Sequence, residues 1–99
     1  MEDFISCVRF EAKEQCLEQL ENKLKEFVLP KGAISHTVVK TGDLSFCTFI
    51  HWDKQDDLVN ARPEMISYLD TIRDLLSELS PELGVTDPVS GPVVHISKR

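Results

Sequence analysis

The sequence predicts one α+β domain in which strands and helices follow the order β-α-β-β-α-β. Short apolar runs rich in β-branched and aromatic residues indicate strands, whereas two longer segments repeat apolar residues at steps of three and four, as helices do. Clusters of Gly, Pro and Asp separate these segments. Because 99 residues is the usual size of one domain, residues 1–99 are interpreted as a single domain.

The first strand is predicted over residues 4–10 and the first helix over residues 12–28. One face of the strand carries Phe4, Ser6, Val8 and Phe10. The apolar stripe of the helix consists of Cys16, Leu17, Leu20, Leu24, Phe27 and Val28. Pro30 and Gly32 end this helix.

A β-hairpin is predicted over residues 34–52, with strands at 34–41 and 44–52 joined by the turn Thr41-Gly42-Asp43. One face of its second strand carries Leu44, Phe46, Thr48, Ile50 and Trp52, and His36 of the first strand shares that nominal face. The hairpin therefore predicts an aromatic, mostly apolar sheet face.

The second helical pattern covers residues 55–80 and contains Pro63. Proline cannot donate a helix hydrogen bond, so we expect a short lead-in at 55–61 and a main helix that begins at Pro63. The tail, residues 85–99, is expected to be extended and to end in a strand at 93–96.

This order of elements predicts a ferredoxin-like fold, in which a four-stranded antiparallel sheet carries both helices on one face. The opposite face would expose the apolar side chains Ile5, Cys7, Val39, Cys47 and Phe49. An apolar sheet face of that size is typical of an interface. We therefore expect a homodimer in which two sheets pack face to face as a barrel.

Composition restricts the classes of binding partner and the cellular compartment that are expected for the protein. The net charge is −6 and no Lys/Arg cluster interrupts the acidic balance, which argues against nucleic acid and an anionic membrane surface. The N-terminus lacks the pattern of a signal peptide, and three cysteines without close spacing indicate neither a disulfide framework nor a zinc site. A reducing cytoplasm is the expected location.

The segment 47–58, CTFIHWDKQDDL, is an aromatic strand that ends in Trp52, a polar turn, and a helix start with acidic residues and a leucine. With this segment and its order of elements, the chain resembles the dimeric α/β-barrel superfamily, which includes antibiotic-biosynthesis monooxygenases, haem-degrading monooxygenases and stress-responsive barrel proteins. The resemblance implies a substrate cavity on the helix side of the sheet.

Haem is not implied for this chain. Members of the superfamily often carry a histidine nine or ten residues after the tryptophan, and in the haem degraders it ligates iron, but Ala61 and Arg62 occupy those positions here. The asparagine that haem degraders use on the first strand is also lacking. The three histidines have no metal-ligand spacing, so neither a metal nor another cofactor is expected.

Three residues are candidates for catalysis. His36 can move a proton near neutral pH, Arg62 can hold a carboxylate or phenolate oxygen, and Tyr68 can donate a hydrogen bond to a quinone-like carbonyl. Each has a structural alternative: a partly exposed strand histidine, a salt bridge from Arg62 to Asp57 or Glu64, and a tyrosine that covers the core with its hydroxyl in water.

Three more residues are candidates for ligand binding: Trp52 by stacking on a flat ligand, with Ile50 and Met65 on the apolar walls. The alternative for Trp52 is core packing. Because Pro63 frees the carbonyl of Val59, helix and sheet are expected to pack loosely enough to leave a cavity between them.

Two functions remain open at this level. One is a cofactor-independent monooxygenase-like enzyme that acts on a small flat aromatic or quinone-like compound. The other is a non-enzymatic dimer that binds a small ligand or acts in a stress response. No Gly-rich phosphate loop, serine elbow or CxxC pair indicates another enzyme class. Polar side chains that converge in the cavity would favour the enzyme.

Overall fold

A computed structural model describes residues 3–99 and confirms the ferredoxin-like order of elements. The strands are β1 (Phe4–Glu11), β2 (Ala33–Lys40), β3 (Ser45–Trp52) and β4 (Asp87–Pro92), and the helices are α1 (Leu17–Lys25) and α2 (Gln55–Asp70). Short 3₁₀ turns at Glu14–Cys16 and Arg73–Leu75 precede α1 and follow α2. The sheet is antiparallel throughout, in the order β2-β3-β1-β4.

The strand register places the predicted residues on one buried sheet face. Phe4 lies opposite Trp52 and Phe10 opposite Phe46, and His36 of β2 pairs with Ile50. Two apolar clusters form between this face and the helices. The first contains Phe10, Ala12, Leu20, Leu24, Phe46, Ile72, Leu75 and Leu76. The second contains Phe4, Ile50, Trp52, Leu58 and Ala61.

Helix α2 differs from its prediction at two points. It continues through Pro63 without a restart, and it ends at Asp70 rather than near residue 80. Pro63 is exposed, so its ring is accommodated on the outer side of the helix. Beyond the helix, Ile72 and Leu76 still reach the core, because a 3₁₀ turn and a β-bridge from Leu76 to Ala12 direct them inward.

The last strand is also not where the sequence predicted it. β4 occupies Asp87–Pro92, whereas residues 93–96 lie outside any strand and Val94 is 93% exposed. β4 pairs only with β1 and so forms an edge of the sheet. An edge strand tolerates Pro88 and Pro92, because half of its backbone groups need no partner strand.

The second face of the sheet carries the expected apolar side chains and remains partly exposed. Phe49 is 37% and Val89 63% exposed, and Cys7 lies between them in the register. The cysteines of residues 3–99 are free thiols, half-buried rather than buried. Within the same residues, no helix is long and apolar enough to cross a bilayer.

Candidate functional site

A cavity of about 410 Å³ lies between α2 and the helix-side face of the sheet. Its walls are predominantly apolar, which suits a hydrophobic ligand. The sheet contributes Ser6, Val8, Phe10, His36, Thr48, Ile50 and Pro88. The helical side contributes Leu24, Phe27, Arg62, Met65, Ile66, Tyr68, Leu69 and Ile72. Five of the six candidate residues are therefore on its walls: His36, Ile50, Arg62, Met65 and Tyr68.

His36 lies on the wall contributed by β2. Its imidazole packs against the ring of Phe27, with 4.4 Å between ring centroids. Burial lowers its pKa below the usual 6.5, because the charged imidazolium loses hydration there. The ring is therefore neutral at pH 7 and has a nitrogen lone pair that can accept a proton.

Tyr68 forms the wall on the side of α2. Its ring packs edge-on against Phe27, with 4.8 Å between ring centroids, so that Phe27 contacts both Tyr68 and His36. The hydroxyl donates to the backbone carbonyl of Lys23 at 3.0 Å. Burial, with a smaller effect from the Glu26 carboxylate, raises the pKa of the phenol, which stays protonated at neutral pH.

The Tyr68 hydroxyl thus differs from its predicted role. It donates its proton to the Lys23 carbonyl and therefore does not offer that proton to a ligand carbonyl. Only the lone pairs of the oxygen remain available to a ligand hydroxyl. The bond also fixes the end of α1 to α2 across the cavity.

Arg62 is the cation of the cavity wall. Its side chain is exposed and, among residues 3–99, forms no salt bridge, so the predicted alternative of a pair with Asp57 or Glu64 is not seen. A guanidinium that has no carboxylate partner can bind a ligand oxygen at the cavity rim.

Trp52 is not on the cavity wall, and its predicted stacking role does not fit its position. The indole is 0% exposed and packs with Phe4, Leu58 and Ala61 in the core. Its Nε1–H donates to the hydroxyl oxygen of Ser6 at 2.9 Å. The start of α2 covers the end of β3, which leaves the ring no free face for a ligand.

Two hydroxyl groups of the sheet lie on the cavity wall and were not among the predicted site residues. They belong to Ser6 on β1 and Thr48 on β3. Thr48 is buried, and its Oγ1 donates to the carbonyl of Val8 at 3.5 Å. Strand alternation places both side chains on the helix side of the sheet, so the sequence carried this signal.

A second groove, of about 390 Å³, adjoins the cavity between α1 and β2. It shares Leu24, Phe27 and His36 with the cavity and is flanked by Lys25 and Lys40. Residues 3–99 contain no group of three or more His, Cys, Asp or Glu side chains arranged as a metal site.

Comparison with solved structures places the fold among known proteins. A protein of unknown function from Nitrosomonas europaea has a TM-score of 0.76 at 17% identity, over 100% of this chain and 96% of its own. A dimeric ferredoxin-like protein from an uncultured marine organism has a TM-score of 0.73 at 14% identity, over 100% and 94%. SnoaB, a cofactor-independent oxygenase from Streptomyces nogalater, has a TM-score of 0.70 at 14% identity, over 97% of each chain.

No protein-family model matches the chain, and no curated protein matches it in sequence. At these low identities the structural neighbours establish the fold alone. They include antibiotic-biosynthesis-monooxygenase-like proteins, as the resemblance in the sequence implied. The chain therefore has the ferredoxin-like fold that these neighbours share.

Proposed function

We propose that the cavity binds a small flat aromatic or quinone-like compound and that the protein oxidises it without a cofactor, as a monooxygenase-like enzyme. The observation that carries the proposal is one apolar cavity whose walls also hold a neutral imidazole, an unpaired guanidinium and a phenol, those of His36, Arg62 and Tyr68. Mostly apolar walls with a few polar groups are typical of sites for aromatic ligands.

A suitable substrate has an acidic methylene group between two aromatic rings, which conjugate it with a carbonyl on the opposite side of the central ring. His36 accepts the proton, and Arg62 stabilises the negative charge that moves to the ring oxygen. The carbanion transfers an electron to dioxygen, and the radical pair forms the new C–O bond. The proton on His36 returns to the peroxide, which loses water and leaves a second ring carbonyl. One dioxygen is consumed, and one water and one quinone are formed.

The bond from Tyr68 to Lys23 favours a second candidate. Because the phenol proton is donated to a backbone carbonyl, Tyr68 does not supply a donor to a substrate oxygen. The alternative is therefore a non-enzymatic protein that binds the same class of ligand.

The assembly belongs to the same proposal. The apolar second face of the sheet and a dimeric ferredoxin-like neighbour support a homodimer that packs sheet against sheet. The free thiols of Cys7, Cys16 and Cys47 are consistent with a reducing cytoplasm, which we propose as the location.

An oxygen electrode distinguishes the two candidates. With anthrone as substrate, we expect the protein to consume one dioxygen for each quinone formed, above the rate in buffer. His36→Gln should lower kcat by about a hundredfold, the lower range for loss of a general base. Arg62→Gln should lower kcat/KM by about tenfold, as for loss of a hydrogen bond to a charged group.

Arg73 provides the matched control, because it is an exposed arginine already paired with Asp70 at 2.8 Å. Arg73→Gln should leave oxygen uptake unchanged. Tight binding of anthrone with no oxygen uptake above the buffer rate would favour the non-enzymatic candidate. Absence of binding would contradict both.

A further inference from the structure

Ser6 lies at the centre of the sheet, on the floor of the cavity. It belongs to β1, where Ile50 of β3 and Ser90 of β4 flank it in the register. Its side chain is half-buried and is part of the cavity wall. The position is rigid, because a central strand is held by hydrogen bonds on both sides.

The hydrogen bond from Trp52 fixes the direction of the Ser6 hydroxyl. An indole N–H can only donate, so the Ser6 oxygen accepts in the 2.9 Å contact. The hydroxyl proton must then point away from Trp52. Within residues 3–99, no acceptor takes this proton, so the hydroxyl retains a free donor.

This free donor faces apolar surroundings. Val8, the next residue of β1 on this face, and Ile50, the partner of Ser6 on β3, lie beside Ser6 on the cavity wall. In such surroundings a donor without a protein acceptor can form a hydrogen bond with an acceptor brought by a ligand. Thr48 offers a second hydroxyl, whose proton is held only weakly because its 3.5 Å contact to the Val8 carbonyl is long.

We infer that Ser6 donates a hydrogen bond to a carbonyl or phenolate oxygen of the ligand and that Trp52 is the positioning residue that aims this donor. The inference rests on the proposed function, because it requires a ligand in the cavity. It gives the cavity a preference for flat ligands with a ring oxygen over their hydrocarbon analogues.

Trp52 acts here through its N–H group rather than through its ring face. Complete burial holds the indole in place, so it cannot turn to release Ser6. The ligand oxygen therefore meets a donor that is already oriented, and little rotational entropy is lost on binding.

Fluorenone and fluorene provide a matched pair of probes, because they differ only in a ring carbonyl against a methylene group. Equilibrium dialysis gives the dissociation constant of each. The unaltered protein should bind fluorenone more tightly. Ser6→Ala should raise the dissociation constant of fluorenone by about fivefold, as expected for the loss of one neutral hydrogen bond. It should change the dissociation constant of fluorene by less than about twofold.

Two further variants keep the test independent of folding defects. Trp52→Phe removes the N–H that orients Ser6, so the preference for the ketone should fall although Ser6 is unchanged. Ser6→Thr keeps a hydroxyl and should retain the preference. Ser67→Ala, on the exposed side of α2, should alter neither dissociation constant.

The outcomes separate this inference from the proposed function. If Ser6→Ala lowers the affinity for both probes equally, or if Trp52→Phe keeps the preference for the ketone, the role of Ser6 and Trp52 is overturned. The cavity then remains a ligand site. No binding of either probe by the unaltered protein would contradict the role of Ser6 and the proposed function together.

Discussion

The chemistry of the cavity depends on how single residues are buried. His36 and Tyr68 both pack against Phe27, and burial shifts their pKa values in opposite directions. Both shifts favour the uncharged form, as expected where water is excluded. At neutral pH the cavity therefore holds a neutral base and a neutral phenol, and Arg62 is the charged group on its wall.

His36 should make folding sensitive to mild acid. In the unfolded chain its pKa is near 6.5, whereas in the folded protein the pKa is lower. Below pH 6.5 the unfolded state therefore binds more protons, and the stabilisation present above that pH is lost as pH falls toward the folded pKa. We expect the urea midpoint to fall between pH 7.5 and pH 5.5, and to fall less in His36→Gln.

His95→Gln is the matched control, because His95 is exposed near the C-terminus, where it forms a hydrogen bond with Ser97. The pH dependence of this variant should equal that of the unaltered protein. The same acid sensitivity in His36→Gln would show that other groups cause it.

At the scale of elements, the sequence predicted which residues face inward better than it predicted where elements end. Strand alternation placed His36, Ile50 and Trp52 on the helix side, and the register agrees. The end of α2 was not readable, because Ile72 and Leu76 have the spacing of a helical stripe although they lie beyond the helix. The spacing of core residues along the sequence does not show whether a helix or a turn carries them into the core.

The position of β4 and the role of Trp52 also could not be predicted without knowledge of the packing around them. A run such as Asp87–Pro92 contains two prolines and resembles a loop until its place at a sheet edge is known. Trp52 was expected in the cavity because an aromatic residue at a strand end suits either a core or a ligand site. Only the packing of α2 over the indole, with its bond to Ser6, distinguishes the two.

Pro63 provides a test of α2 as an element. It stands inside the helix, where it cannot donate to the Val59 carbonyl, and its ring is exposed. Pro63→Ala restores that donor without loss of packing, so the free energy of unfolding should rise by about 1–3 kcal/mol. If the proline also keeps α2 slightly away from the sheet, the variant should bind fluorenone more weakly.

Urea unfolding and equilibrium dialysis measure these two effects separately. Pro81→Ala is the control, since Pro81 is exposed and lies outside the helix. It should alter neither quantity. A Pro63→Ala variant that is less stable than the unaltered protein would contradict the structural account of α2, because no packing is expected to be lost.

At the scale of the molecule, the two faces of the sheet differ in what covers them. The helix-side face holds the core and the cavity, and the candidate site residues lie on this face or on the helices that cover it. The other face carries apolar side chains between two polar pairs, the ion pair of Arg9 with Asp87 at 2.8 Å and the hydrogen-bonded pair of His51 with Asp3 at 2.7 Å. An apolar centre with a polar rim is the usual anatomy of a protein interface.

The homodimer is tested at the centre of this face. Phe49 is 37% exposed and lies between Cys7 of β1 and Thr37 of β2. If two sheets pack face to face, Phe49→Asp buries an unpaired carboxylate, which costs several kcal/mol for each subunit. We expect sedimentation velocity at micromolar concentration to give twice the chain mass for the unaltered protein and the mass of a single chain for Phe49→Asp.

Val28→Asp is the matched control for that experiment. Val28 is an apolar side chain in the segment between α1 and β2 rather than in the sheet, and it is more exposed than Phe49. This variant should sediment as a dimer, because its new charge stays in water. A Phe49→Asp protein that retains twice the chain mass would exclude the sheet-to-sheet arrangement. Dissociation of both variants would instead indicate an interface that includes the helices.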